Sequence, residues 1–412
     1  MKPIKLFFRN RFLRYAALFL AAFSFLHGQN KLKFGSDIFL AEQLDLVSNK
    51  SVGIVTNKAA VLSSGRSLID ELRKLDQIDV RAYFALEHGL ELESSAGMIV
   101  EDSQVDETKV YSLYGSTKKP TREMLQNIDV IIFDVQDVGA RFYTYISSLY
   151  YIIEACSENN VELIVLDRPN PIGGTYVDGP VLDDDYKSFV GIDNLPVTHG
   201  MTVGELALFF NDRTPRRADL QVIQMQGWKR DSFWDDYDLR WVNPSPNIMA
   251  YEACLLYPAT VFFEGTNISE GRGTYTPFQI FGAPFLDSNQ LRNELNKLNF
   301  TGIDSRAIEF VPMSIYGKAE NPKYKNSICE GVQLKIVDRD NYKPVELAVY
   351  LLHTVYHLYK EEIEFTNHFD LLWGTDRIRK DLLSDKSPEQ IIAGWQDELN
   401  EFKKLRENYL LY

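Results

Sequence analysis

Asp129-Val-Ile-Ile-Phe-Asp-Val135 is an apolar run of strand length. A helical pattern from Tyr143 to Glu158 follows it, and then a second run, Val161-Glu-Leu-Ile-Val-Leu-Asp167. Strands that are almost continuously apolar have to be covered on both faces, as they are in parallel sheets. Upstream, Val52-Gly-Ile-Val-Thr56 reads as a strand, a helix is expected from about Arg66 to Leu75, and Val80 to Leu86 is the next strand. Downstream, a turn-rich loop, Arg168-Pro-Asn-Pro-Ile-Gly-Gly174, precedes Thr202-Val-Gly-Glu205. That spacing is a capping box, here opening a helix to about Phe210, and Leu220 to Met225 resembles a further strand. Apolar strands alternating with helices predict an α/β fold with a mostly parallel sheet.

The pattern changes after about residue 255. Ile308 to Met313 and Val332 to Val337 alternate more, and helices are expected at Pro344 to Lys360 and about Ser387 to Arg406. Ser387-Pro-Glu-Gln390 is a second capping box with proline at the first helical position. A smaller α+β domain is therefore expected at 256–412, after a larger one at 29–255, with the ligand cleft between them.

Residues 1–28 have the form of a secretory signal peptide. Lys2, Lys5, Arg9, Arg11 and Arg14 form a basic lead, and the apolar run Tyr15 to Leu26 is too short to span a bilayer. Export, with the periplasm as destination or secretion beyond it, is the expectation, with no stable membrane insertion after cleavage. The 412-residue chain carries a net charge of −14. Five of its 44 basic residues and none of its 58 acids lie in the first 30 positions, so the remainder has 39 bases against 58 acids, a net of −19. Such a surface repels nucleic acid and anionic lipid. Three cysteines make no disulfide framework.

Polar clusters fall at the ends of the expected strands: Thr56-Asn57, Glu87-His88, Asp134 through Tyr143, and Asp167 through Asn170. Ends of successive parallel strands converge, and open α/β sheets bind ligands beyond their carboxyl edge. Glu87, with an apolar strand behind it, is a carboxyl whose pKa desolvation can raise, as a proton donor requires. Asp137 lies in a loop and is the better placed of the acids after Asp129–Val135. Arg141, beside Tyr143 at a helix start, is either an anion receptor or the ion-pair partner of Asp134 or Asp137. Two longer loops carry further candidates: Asn243 and Asn247 in a proline-stiffened loop, and Glu264, Asn267, Arg272 and Tyr275 between glycines. Loops this rich in amides, charges and aromatic rings suit a carbohydrate, with hydroxyls to satisfy and C–H faces to stack.

A G-x-G-x-x-G fingerprint after a strand, a Walker loop and a G-x-S-x-G elbow are absent. His353 and His357 are four apart, but Thr354 stands where a zincin needs glutamate. No cofactor and no metal are expected.

Val52-Gly-Ile-Val-Thr-Asn57, Glu87-His88-Gly89, Phe133 through Tyr145, Asp167-Arg-Pro-Asn-Pro171, Val242 through Asn247, and Glu264-Gly-Thr-Asn267 through Gly271-Arg-Gly273 together resemble the NamZ family of exo-β-N-acetylmuramidases. The resemblance runs from about Gly35 to Tyr412. It implies a Rossmann-like N-terminal domain, a smaller C-terminal domain, and removal of terminal β-linked N-acetylmuramic acid (MurNAc) from the non-reducing ends of peptidoglycan fragments such as MurNAc-GlcNAc. It also implies Glu87 as the catalytic residue, with His88 beside it. Glu264 and Asp137 are then candidates for base, nucleophile or support of the substrate's acetamido group, and Arg141 or Arg272 for gripping the lactyl carboxylate. Asn57, Tyr143, Asn243, Asn247, Asn267 and Tyr275 complete the expected substrate contacts. Leu90-Glu-Leu-Glu93 departs from the family's usual Arg-Gly-containing run, which bears on the rim of the site. The rival reading is a peptidoglycan-fragment binding or sensing protein without hydrolysis.

Overall fold

The first half of the chain builds a seven-stranded sheet: β1 Ser51–Thr56, β2 Asp79–Ala85, β3 Ser103–Val105, β4 Thr108–Ser112, β5 Val130–Asp134, β6 Glu162–Leu166 and β7 Leu220–Ile223. The structure is a computed structural model describing residues 31–75, 77–105 and 108–412, so the expected leader at 1–28 lies outside the described residues. Strand order is β3-β4-β2-β1-β5-β6-β7, and every pairing is parallel except β3 with β4. Counted among themselves, the six parallel strands run 3-2-1-4-5-6, the Rossmann arrangement, with the order reversing beside β1.

Alternation along these strands feeds two separate cores. Val55, Phe84, Ile131, Phe133 and Val165 face one side, where they join α3 (Tyr145–Asn159) and α4 (Val203–Arg213). Ile54, Tyr83, Ile132 and Ile164 face the other, with α1 (Gly35–Glu42) and α2 (Leu68–Leu72). The expected capping box starts α4: Thr202 Oγ1 accepts from Glu205 N, and Glu205 Oε2 accepts from Thr202 N. The helix expected at Arg66–Leu75 is only five residues long, capped by Ser67.

The second half begins with α5 (Tyr251–Thr260), which crosses the expected division at 255/256. Its apolar residues surround it on all sides and Pro258 lies inside it, so it carries no amphipathic period. Then follow β8 (Ile280–Ala283), α6 (Ser288–Lys297), β9 (Ile303–Phe310), β10 (Cys329–Ile336) and α7 (Pro344–Leu358). The three strands form an antiparallel sheet in the order β8-β10-β9. The strand expected at Ile308–Met313 therefore lies further upstream, and Pro312, which has no N–H to donate, falls outside the ladder. Four helices close the chain: α8 (Asn367–Trp373), α9 (Arg377–Leu383), α10 (Pro388–Ala393) and α11 (Gln396–Arg406). The single helix expected over 387–406 is broken because Trp395 turns inward, buried beside Trp373, and donates to Asp178.

Both halves share one core, in which Phe84 and Phe133 belong to the same cluster as Leu334, Val345 and Leu352. Tyr412 returns to the first sheet, its hydroxyl donating to Asp167 Oδ2 (2.8 Å) while accepting from Met225 N.

Under the carboxyl edge lies a buried ion pair. Arg168 Nε and Nη2 donate to Asp134 at 2.5 and 2.9 Å, with both side chains essentially inaccessible. Burial pushes the Asp134 carboxyl up, and Arg168 opposes this. Removing one partner of such a pair leaves an uncompensated buried charge, so Arg168→Ala is expected to cost about 3–5 kcal/mol. Chemical denaturation measures it, and a loss near zero would show that the pair does not hold the loop after β6.

Candidate active site

The loops that follow β2, β4 and β5 meet the second half of the chain at the carboxyl edge of the sheet. They enclose a cleft of about 590 Å³ whose walls include Glu87, His88, Tyr143, Tyr257, Glu264 and Arg272. Glu87 comes directly off β2 and is half-buried. Its Oε2 accepts from Thr144 Oγ1 at 2.5 Å and its Oε1 from Gly97 N at 3.1 Å. The Tyr114 phenol also faces it. His88 is 6% exposed and holds a left-handed backbone (φ 74°), a conformation uncommon for a residue with a side chain. That turn sends the chain sharply away from the strand. Burial lowers the His88 pKa more than the Glu87 charge raises it. Its Nδ1 lies 2.8 Å from Ser94 O and so carries the proton, leaving Nε2 as an acceptor.

The opposite wall comes from the loop after α5. Arg272 Nε and Nη2 hold Glu264 Oε1 at 3.0 and 2.7 Å, and Nε lies 3.5 Å from Glu270. Burial works against this guanidinium, but Glu264 and Glu270 keep it firmly charged. Its Nη1 has no hydrogen-bond partner. Lys323 pairs with Glu270 (3.2 Å), and His368 approaches Glu264 (3.9 Å). Tyr257 links the two walls. Its phenol is pushed far up by burial, with Glu264 and Glu87 both adding to the shift, and all three side chains line the same cleft. Tyr143, stacked edge-on against Tyr145 and Tyr257, has a buried hydroxyl close to Ser245.

Several expected site residues are engaged elsewhere. Arg141 is completely buried and donates to the carbonyls of Pro180, Leu195 and Leu372. It is a clamp between loops, neither the anion receptor nor a partner of Asp134 or Asp137, and burial lowers its pKa to about 9. Asp137 is 3% exposed, accepts from Gly139 N, and is not among the residues lining the cleft. His199 Nε2 lies 3.8 Å from it. Asn267 uses both ends of its amide on Glu362 and Glu364 backbone groups, and Asn247 donates to Lys318 O. Tyr275 is 84% exposed, outside the cleft lining. Asn57 is buried beneath Tyr145, and Asn243 is exposed on a neighbouring cleft.

Sequence reading missed Thr144, Tyr114, Tyr257, Glu270, Lys323 and His368. Thr144 and Glu270 lie inside the motifs Phe133 through Tyr145 and Glu264 through Gly273. Tyr257 lies in a helix with no amphipathic signal, and the other three arrive from segments with no local mark. Among the described residues no group of three or more His, Cys, Asp and Glu is arranged to hold a metal.

Fold and site together define a two-part α/β protein with an acidic, tyrosine-lined cleft at the carboxyl edge of a Rossmann-type sheet. The family models described as exo-beta-N-acetylmuramidase NamZ, N-terminal and C-terminal, match residues 52–252 and 255–412. The chain belongs to the NamZ family. It is 44% identical over 387 residues to the peptidoglycan beta-N-acetylmuramidase NamZ of Bacillus subtilis (strain 168), covering 93% of this chain and 92% of that one. Two crystal structures of DUF1343 family proteins from Bacteroides fragilis NCTC 9343 share the fold. One has a TM-score of 0.84 at 33% identity and the other 0.75 at 35%, each covering 93% of this chain and 99% of its own.

Burial keeps the Asp137 carboxyl protonated up to about pH 7, against an ordinary value of 3.8. The unfolded chain releases this proton first. The stability it contributes is therefore complete below about pH 4 and is lost as pH rises through about 7. Asp137→Asn keeps an acceptor for Gly139 N and removes the titration. Relative to the parent it is expected to gain stability from pH 5 to about pH 7, by roughly 3 kcal/mol, and to level off above that. Denaturation across that range tests this, and a pH-independent difference would refute it.

Proposed function

We propose that the chain is an exo-acting glycoside hydrolase that releases terminal β-linked N-acetylmuramic acid from the non-reducing ends of peptidoglycan fragments. The observation that carries this reading is Glu87, a half-buried carboxyl held at both oxygens and facing a second group of carboxylates across a tyrosine-lined cleft. Glu87 protonates the leaving glycosidic oxygen. When it carries that proton, the Thr144 hydroxyl can turn from donor to acceptor and keep the carboxyl oriented. Glycoside hydrolysis passes through an oxocarbenium-like transition state, and the opposing carboxylate Glu264 supplies negative charge to it. Neutral His88 adds an acceptor next to the acid.

Arg272 takes the lactyl carboxylate, since it lines the cleft, while Arg141 is fully buried on three backbone carbonyls outside it. Membership of the NamZ family, and the muramidase named at 44% identity, support the substrate class. Residues 29–255 form the catalytic domain and 256–412 complete the cleft. The basic lead and apolar run at 1–28 support export to the periplasm, where MurNAc-GlcNAc fragments arise during wall turnover. Among the described residues no helix is long and apolar enough to cross a membrane. No feature of the cleft favours a silent binding protein.

Glu87→Gln is expected to lower kcat on an aryl β-N-acetylmuraminide by roughly 10²–10⁴-fold, the usual worth of general acid catalysis, with fragment binding retained. The matching glucosaminide, which has no lactyl group, is expected to be a poor substrate for the parent protein. Normal turnover by the Gln variant would remove Glu87 from the chemistry.

A further inference from the structure

A second cleft, of about 670 Å³, opens beside the first and shares Ser245 and Lys318 with it. Lys58, which pairs with Glu91 (3.7 Å), and three segments wall it: Glu91–Glu93 after β2, Arg240–Pro246 before α5, and Tyr316–Lys318 from the second half of the chain. Specific contacts hold these segments together. Asn247 Nδ2 donates to Lys318 O at 2.9 Å. Gly317 has φ 69°, and a Cβ there would lie 2.5 Å from Glu93 O, so the Tyr316–Lys318 turn closes on Glu93 only with glycine at that position. The wall is also fastened to the first cleft: the Tyr145 hydroxyl lies 2.8 Å from Pro244 O and 3.3 Å from Glu87 O.

The lining is chemically uneven. The Tyr316 ring is 90% exposed. Trp241 is fixed edge-on against Trp234 and tilted on Tyr251, with its indole N–H on Ile248 O. Asn243 is exposed, Arg240 has no carboxylate partner among the described residues, and Lys318 Nζ is held by Met249 Sδ at 2.8 Å. An arginine without a carboxylate partner beside the exposed Tyr316 ring offers a saccharide hydrogen-bond donors and a stacking face together.

An enzyme that removes one terminal sugar has to place the remainder of the chain past its acid. We propose that the second cleft binds this leaving saccharide, N-acetylglucosamine first, with Tyr316 as its stacking platform and Asn243 and Arg240 as polar contacts. This assignment rests on the function proposed above. Affinity for longer fragments then arises from the second cleft, while the terminal sugar is recognised around Glu87 and Arg272.

The test is calorimetric titration of Glu87→Gln, and of the same protein carrying Tyr316→Ala. The ligands are N-acetylmuramic acid, the stem-free disaccharide MurNAc-GlcNAc, and its stem-peptide-bearing form. Expected is a roughly tenfold loss of affinity for both disaccharides in the Tyr316→Ala protein, equivalent to about 1.4 kcal/mol, with affinity for the monosaccharide unchanged. Equal losses for monosaccharide and disaccharide, or no loss for either, would overturn the assignment. A loss confined to the stem-bearing fragment would give the cleft to peptide instead and overturn it as well. Failure of all three ligands to bind Glu87→Gln would overturn the functional reading itself, and this assignment with it.

Discussion

Parallel hydrogen bonding between β2, β1, β5 and β6 is the constraint on which the rest of the molecule depends. In register, Val55 lies opposite Phe84 and Phe133, and Thr56 opposite Asp134, while Phe133 lies opposite Val165. Strands aligned this way end together, so Glu87, Asn57, Asp137 and Arg168 leave the sheet along a single edge. A parallel sheet with both faces covered offers ligands little beyond that edge and its switch point. The second half of the chain packs across it, sharing the first half's core, and turns an open edge into an enclosed cleft.

Enclosure then divides the polar residues into two populations. Buried charges and amides are tolerated only when paired. Those drawn into the interior are accordingly spent on structure: Arg168 on Asp134, Arg141 on three carbonyls, Asn267 on the backbone near Glu362. In the cleft lining, Arg272 at its Nη1 and Tyr143 at its hydroxyl each keep a buried polar atom without a partner. Glu264 and Arg272 show both conditions at once, an ion pair that holds the loop and a charged surface offered to a ligand.

Much of the fold was legible because its signals are local. The apolar strands, both capping boxes and the helix at Tyr145–Asn159 depend on residues a few positions apart, and each is found within a few residues of where it was expected. Elements without a local signal were missed or misplaced. Helix α5 is apolar all round and contains a proline; β8 is four residues long; and the break before α11 comes from the burial of Trp395 against a distant tryptophan. For the site, sequence reading found Glu87, His88, Glu264 and Arg272, all of which line the cleft, but also selected Arg141, Asn247 and Asn267, whose bonds go to backbone.

By itself, then, the sequence determined the secondary-structure alternation, the parallel sheet, and which polar runs stand at strand ends, because periodicity and capping act over a few residues. Tertiary structure alone decided which of those polar groups meet a ligand. A side chain's availability depends on whether a carbonyl or carboxylate from a remote segment has already claimed it. Arg141 and Leu372, or Glu87 and Tyr257, are far apart along the chain, and nothing in the order of residues says that one pair closes on itself while the other faces a cleft.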